Sequence, residues 1–287
     1  MKYLSLLFVF LGAFTSIHVY GQNFYEEEGT IDDPYLIADA DDLNDVRNYL
    51  SNGTYFEQTA DINLSGYSNW EPIAGGGQGT KFEGYYDGQG YTISNLTIDR
   101  SNTPDVGLFG HLGEGTATNQ AEIRGVVLSG VNVTGGRGTG SLVGRVTGNI
   151  YTLIEECSAT GTSGNRSVVG DAATGGLVGS NNSVQETPGG TNNPIISKCW
   201  ADIDVTYSGA EAPANKYAEK FGGLAGCNQK GTILSSYAKG SVTANKNDTW
   251  EVFNIGGLAG CILYRGRIER SYSTGTVSGT DADNIGG

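Results

Sequence analysis

The stretch that decides the fold is Phe221-Gly-Gly-Leu-Ala-Gly-Cys227 with Ile233-Leu-Ser-Ser-Tyr-Ala-Lys-Gly-Ser-Val242 behind it. It returns as Ile255-Gly-Gly-Leu-Ala-Gly-Cys261 and Ile268-Glu-Arg-Ser-Tyr-Ser-Thr-Gly-Thr-Val277. Upstream, the pentapeptide Gly-x-Leu-x-Gly recurs as Gly140-Ser-Leu-Val-Gly144 and Gly175-Gly-Leu-Val-Gly179. A first copy is Gly107-Leu-Phe-Gly110, with Val106 ahead of it, and Ile285-Gly286-Gly287 starts a sixth. The marker leucines Leu108, Leu142, Leu177, Leu224 and Leu258 are 34, 35, 47 and 34 residues apart. Self-similarity at a period of roughly 20–50 residues denotes stacked units, none able to bury its apolar face alone.

From Val106 onward each unit has the same parts. The pentapeptide strand comes first, then a variable loop. A second strand carries an Ile with a small residue three positions on: Ile154/Cys157, Ile196/Cys199, Ile233/Ser236 and Ile268/Ser271. A short third segment closes the unit, as in Asp202-Ile-Asp-Val205 and Gly240-Ser-Val242. Three short strands without a helix describe one coil of a parallel β-helix, an all-β solenoid. Coils stack at about 4.8 Å, so equivalent residues form ladders. The leucines are expected to point inward, and the glycines to let backbone turn sharply or approach closely. The 47-residue step holds polar insertions at 181–194 and 208–220. Deletion of Gln185 to Thr191 is expected to leave the fold intact.

Three regions follow. Residues 1–21 have the form of an export signal: Lys2, an apolar run from Tyr3 to Ala13, and Val19-Tyr-Gly21 before Gln22. The run is too short for a membrane span of about 20 apolar residues, so the chain is expected to be secreted or on the outer cell surface. Residues 22–105 form a small α/β cap and the first strands. Its helix is expected over 39–50, with Asp39 as N-cap, Leu43, Val46 and Leu50 on one face, and Asn52-Gly53 ending it. A strand from Tyr55 to Leu64 follows, then a strand, turn and strand over 82–98 with Asp87-Gly88 as the turn; Ile93, Leu96 and Ile98 supply core. Residues 106–287 are the repeats, ending within a unit.

The Gly-Gly-Leu-Val-Gly repeat and the following Ile-x-x-Cys-x-Ala-x-Gly resemble the GLUG-motif family of bacterial exported proteins. The leader Gly29-Thr…Asp33-Pro-Tyr-Leu-Ile37 and the segment 82–98 are similar to stretches at the start of such regions. The likeness spans about residues 29–287. It implies a right-handed β-helix on a bacterial surface, in adhesins or in accessory regions of immunoglobulin-A peptidases, and it implies no reaction.

The formal charge of −14 disfavours nucleic acid and anionic membrane as partners. Without the leader, His111 is the only histidine. A zinc protease site is then impossible, and a Ser-His-Asp or Cys-His arrangement would have to use His111. Carboxylate pairs such as Asp202/Asp204 or Glu155/Glu156 could serve a glycosidase, but 31 acidic residues make chance proximity common. Asp32-Asp33 and Asp39/Asp41/Asp42 lack the spacing of a calcium loop; helix capping accounts for the second group. No metal or cofactor is expected. The residues after the small position are Ser158, Trp200, Tyr237 and Tyr272. In register, Trp200, Tyr237 and Tyr272 would stack along the axis, either stiffening the sheet or contacting sugar rings. Thr160/Thr162 and Thr274/Thr276 are the only basis for an ice-binding face.

The cysteines fall in equivalent pairs, Cys157/Cys199 and Cys227/Cys261. Neighbours about 4.8 Å apart could be bridged. In-register side chains do not aim at each other, however, and Ser replaces Cys at the first position in two units. Reduced, stacked thiols are expected, with the balance closer for the second pair. The expected function is a non-catalytic module for adhesion or ligand binding, with an extracellular glycan or a cell-surface protein as partner. The alternatives are a polysaccharide-processing β-helix enzyme or the accessory region of a larger surface peptidase.

Overall fold

The computed structural model describes residues 24, 27–161, 167–183, 193–209, 217–245, 251–279 and 282–286. The export signal, the deletion segment 185–191 and Thr162 lie outside these residues. The described residues form a parallel β-solenoid with a single short α-helix among them. Every strand pairing is parallel.

A complete coil has five strands where the sequence suggests three. In one coil they are Val143–Gly148, Thr152–Glu155, Ser158–Gly161, Ser167–Gly170 and Ala172–Gly175. Equivalent strands stack into five ladders, named here first to fifth in that order. The second ladder has eight strands, from Tyr35–Ile37 to Arg267–Glu269, so the N-terminal segment already contributes rungs. The third and fourth ladders join through the long strand Val127–Thr134, which pairs with both Ser158–Gly161 and Ser167–Gly170.

The pentapeptide is a corner, not a strand. Gly222 ends a fifth-ladder strand, Gly223-Leu224 is a bend, and Ala225 begins a first-ladder strand. Leu142, Leu177 and Leu224 are fully buried, and Leu258 packs half-buried on the core. Their backbones are laddered: Leu142 N–H donates to the Leu177 carbonyl (3.0 Å), Leu177 to Leu224 (3.0 Å) and Leu224 to Leu258 (2.9 Å). The last motif glycine is required by close approach. A Cβ on Gly226 would stand 2.3 Å from Ala173 C and from Thr174 N and 2.6 Å from Gly179 O. Gly144, Gly179 and Gly260 meet the equivalent backbone one coil earlier. The approaching strand is kinked there by a left-handed residue, Asp105 (φ 56°), Gly138 (78°), Ala173 (49°) or Lys220 (75°).

Inward rows fill the interior. The second ladder contributes Phe56, Tyr86, Ile123, Ile154, Ile196, Ile233 and Ile268 in register. The fourth contributes Ile98, Val133, Val168, Val205, Val242 and Val277. The bend between second and third ladders is left-handed at Gly125, Glu156, Lys198, Ser235 and Arg270, with φ of 49–61°.

The small position after this bend is a donor. Cys157 Sγ and Cys199 Sγ donate to the carbonyls of Glu155 and Ser197, both at 3.2 Å. Ser236 and Ser271 Oγ donate to Leu234 and Glu269, both at 2.8 Å. A hydroxyl and a thiol therefore do the same job, and Cys157 and Cys199 are free thiols. The expectation of reduced cysteines fails for the second pair. Cys227 and Cys261 are direct partners on adjacent first-ladder strands and are bonded, with Cα atoms 4.7 Å apart.

At the N-terminal end, helix α1 (Ala40–Asp45) is shorter than expected and tightens into a 3₁₀ turn, Val46–Asn48. Asp39 caps it: its Oδ1 accepts from the Asp41 and Asp42 amides, and Asp42 Oδ2 accepts from the Asp39 amide. Leu43 and Val46 are buried and Leu50 packs half-buried on the core. Asp87-Gly88 turns the chain between faces: Tyr85–Asp87 belongs to the second ladder and Thr92–Ser94 to the third, and the two do not pair. Ile93, Leu96 and Ile98 are core.

Candidate ligand-binding surfaces

Alternation places the aromatic row outward, because Ala201 and Ala238 face the core. Trp200 pairs with Tyr237, and Tyr237 with Tyr272. Ring centroids are 5.8 and 5.3 Å apart, with interplanar angles of 2° and 10°. The three residues are thus brought together, yet each ring covers its neighbour's face and mostly edges meet solvent. Lys239 Nζ lies 5.8 Å from the Trp200 centroid and 5.2 Å from that of Tyr237. Tyr272, at the end of the stack, is 54% exposed.

The other chemical candidates are engaged in structure. His111 is buried, its Nε2 is 2.6 Å from Thr147 Oγ1, and burial, helped by Arg145 and Lys81, lowers its pKa to about 4. Lys198 Nζ lies 3.2 Å from Glu155 and 2.9 Å from Glu156, and this contact lowers the Glu156 pKa. Asp204 Oδ1 accepts from the Ser241 amide at 2.8 Å, and Asp202 closes the strand Trp200–Asp202. Asp33 Oδ2 accepts from the Glu28 amide at 3.2 Å. Thr160 Oγ1 donates to the Leu128 carbonyl at 3.4 Å, while Thr274 and Thr276 flank the last third-to-fourth corner. Among the described residues no three His, Cys, Asp or Glu side chains are grouped to hold a metal.

A concave surface lies elsewhere. Two triplets, Tyr55-Phe-Glu57 and Tyr85-Tyr-Asp87, occupy successive rungs of the second ladder. The middle aromatics Phe56 and Tyr86 are buried, so both outer tyrosines and both acids share the outer face. The Tyr55 and Tyr85 rings are 5.3 Å apart at 35°. With Ile31, Pro34, Thr118 and Gln120 they bound a cleft of about 360 Å³. The wall carrying Thr118 is pinned, since Asn52 Nδ2 donates to the Asn119 and Glu83 carbonyls, both at 3.1 Å.

On the next rung Arg124 Nη1 donates to Tyr85 Oη (3.4 Å), and its Nε is 3.9 Å from Asp87 and 4.0 Å from Glu122. Burial pushes the Glu122 carboxyl up to about 7, with Arg124 opposing and Glu155 and Asp87 adding. Sequence reasoning missed this cleft. The repeated Tyr-aromatic-acid triplet is the available signal, masked by the Asp87-Gly88 turn that its second copy runs into.

Residues 252–278 match the GLUG motif family model. The match covers one repeat, with Leu258 at its marker position. A Gly-rich membrane protein of Evansella cellulosilytica is 36% identical over 162 residues, which cover 54% of this chain and 18% of the relative. Halomucin of Haloquadratum walsbyi is 41% identical over 164 residues, 54% of this chain and 2% of that protein. The chain therefore spans less than a fifth of either relative. A crystal structure of a Bacteroides ovatus protein provisionally assigned as an immunoglobulin A1 protease superposes with a TM-score of 0.60 at 20% identity, over 92% of this chain and 87% of that one. That likeness is one of fold. No helix among the described residues is long and apolar enough to cross a membrane, which says nothing of β-barrels.

Proposed function

We propose that this chain is a non-catalytic module of a secreted or cell-surface protein, and that it binds an extracellular glycan in the Tyr55/Tyr85 cleft. The observation that carries the reading is the in-register tyrosine pair forming one wall of a concave site with hydrogen-bonding groups around it. Aromatic rings offer an apolar face to sugar C–H groups, while Glu57, Asp87, Thr118 and Gln120 supply partners for hydroxyl or amino groups. The surface-type names of the two relatives agree with the location.

The rival, a polysaccharide-processing enzyme, draws on Glu122, whose raised pKa suits a general acid. Glu122 is only 4% exposed and lies outside the cleft lining, which favours binding over catalysis. The test is titration of cellohexaose, chitohexaose and glucosamine hexamer into the wild type and Tyr85→Ala. Loss of at least about tenfold in affinity for one of them, about 1.4 kcal/mol, is expected. No binding, or equal binding by the variant, refutes the cleft; release of shorter products favours the rival.

A further inference from the structure

A second cleft, of about 410 Å³, opens beside the first ladder, at the kinks of the fifth. Its charged lining is Arg137, Arg145, Lys220 and Asp105, three cations to one acid in a chain of net charge −14. Arg145 Nη1 is 3.8 Å from Asp105 Oδ2, so one cation is partly neutralised. Arg137 is exposed and makes no ion pair or side-chain hydrogen bond among the described residues. Asp105 lies within electrostatic reach of both arginines, so a single acid is shared between two guanidinium groups and the cleft keeps an excess of cations. The side-chain amides of Asn182 and Gln229 also line the cleft. A ligand that suits this lining carries an anionic oxygen group for the arginines and hydroxyls for the Asn182 and Gln229 amides.

We infer that this cleft binds an acidic saccharide, through a carboxylate or sulfate held by Arg137 and Arg145, with ring hydroxyls against the side-chain amides that line it. A planar guanidinium engages such oxygens in a fork, more strongly than a neutral donor does. The kinks at Gly138, Ala173 and Lys220 bring successive rungs to the cleft edge, so a ligand longer than one sugar would run along the axis. The site is separate from the tyrosine cleft and does not depend on it.

The experiment titrates the whole chain with galacturonate hexamer, a heparin-derived hexasaccharide and neutral maltohexaose, at low and at physiological salt. Binding of one or both acidic probes, weakened by salt, and none of maltohexaose is expected; which acidic probe binds separates carboxylate from sulfate. Arg137→Ala should lower affinity at least about tenfold, with partial recovery in Arg137→Lys and an unchanged melting temperature. Tyr85→Ala should bind the acidic probes like wild type, and it reports on the other cleft. Failure of both acidic probes to bind, equal binding by Arg137→Ala, or equal binding of maltohexaose would overturn the inference.

Discussion

Gly226→Ala tests the packing argument most directly. The added methyl would lie 2.3 Å from two backbone atoms of the 173–174 kink and 2.6 Å from the Gly179 carbonyl. Ordinary contact begins near 3.4 Å, so the overlap is about 1 Å at each of three atoms. None is the end of a flexible side chain. The obstructing backbone belongs to strands held in ladders on both sides, Ala172–Gly175 between Arg137–Thr139 and Tyr217–Gly222, and Val178–Ser183 between two others. Relief therefore requires separating rungs. Overpacking in a core costs about 1–3 kcal/mol where side chains can adjust; a cost of about 3 kcal/mol or more is expected here. Urea unfolding followed by far-ultraviolet circular dichroism measures it, with Gly66→Ala as control. Gly66 is exposed with nothing within 4 Å of its Cβ position, so its substitution should stay within about 0.5 kcal/mol. A loss below about 1 kcal/mol for Gly226→Ala would show that the glycine is not there for close approach.

Leu224→Ala should cost about 2–5 kcal/mol in the same assay, because Leu224 is fully buried at the corner. Ser235→Gly, at an exposed left-handed bend of φ 49°, should raise stability by up to about 1 kcal/mol; a loss would show that the bend is not strained. Thiol titration of the denatured, unreduced protein should find two free thiols, from Cys157 and Cys199, and neither none nor four. Glu122 has its folded pKa raised to about 7 from 4.5, so its favourable contribution is complete below about pH 4.5 and lost as pH rises through 7. Glu122→Gln should accordingly gain on the wild type between those values, by at most about 3 kcal/mol; a constant difference from pH 4 to 8 would contradict the burial of this carboxyl.

The repeat period, the inward leucines and the isoleucine row were legible because a solenoid writes one rung after another into the chain. The strand count was not. Strands such as Ser167–Gly170 and Ala172–Gly175 are short and rich in Ser, Thr, Ala and Gly, so composition marks them as loop; the neighbouring rungs, not their own propensity, hold them extended. The corner role of Gly-x-Leu-x-Gly was hidden for the same reason, since a glycine needed for close approach and one needed for a turn look alike in sequence. The aromatic row could be placed in register and its stacking expected from spacing, but not how little ring face the stack leaves open. The two clefts lie across rungs, bringing Tyr55 to Thr118 and Arg137 to Gln229, and no local pattern announces such pairs.

The Cys227–Cys261 bond has a mechanical meaning. Its sulfurs join adjacent rungs but enclose a sequence separation of 34 residues. Pulled from its ends, a ladder of parallel rungs yields by peeling, each coil lengthening the chain as it leaves the stack. The bond shortcuts that path, and the enclosed coil adds no length while it stands. Reduction would release about 110–120 Å of extra extension, at about 3.3–3.6 Å per residue. Oxidation thus shortens the reach of the fully peeled chain by that one coil, and reduction restores it.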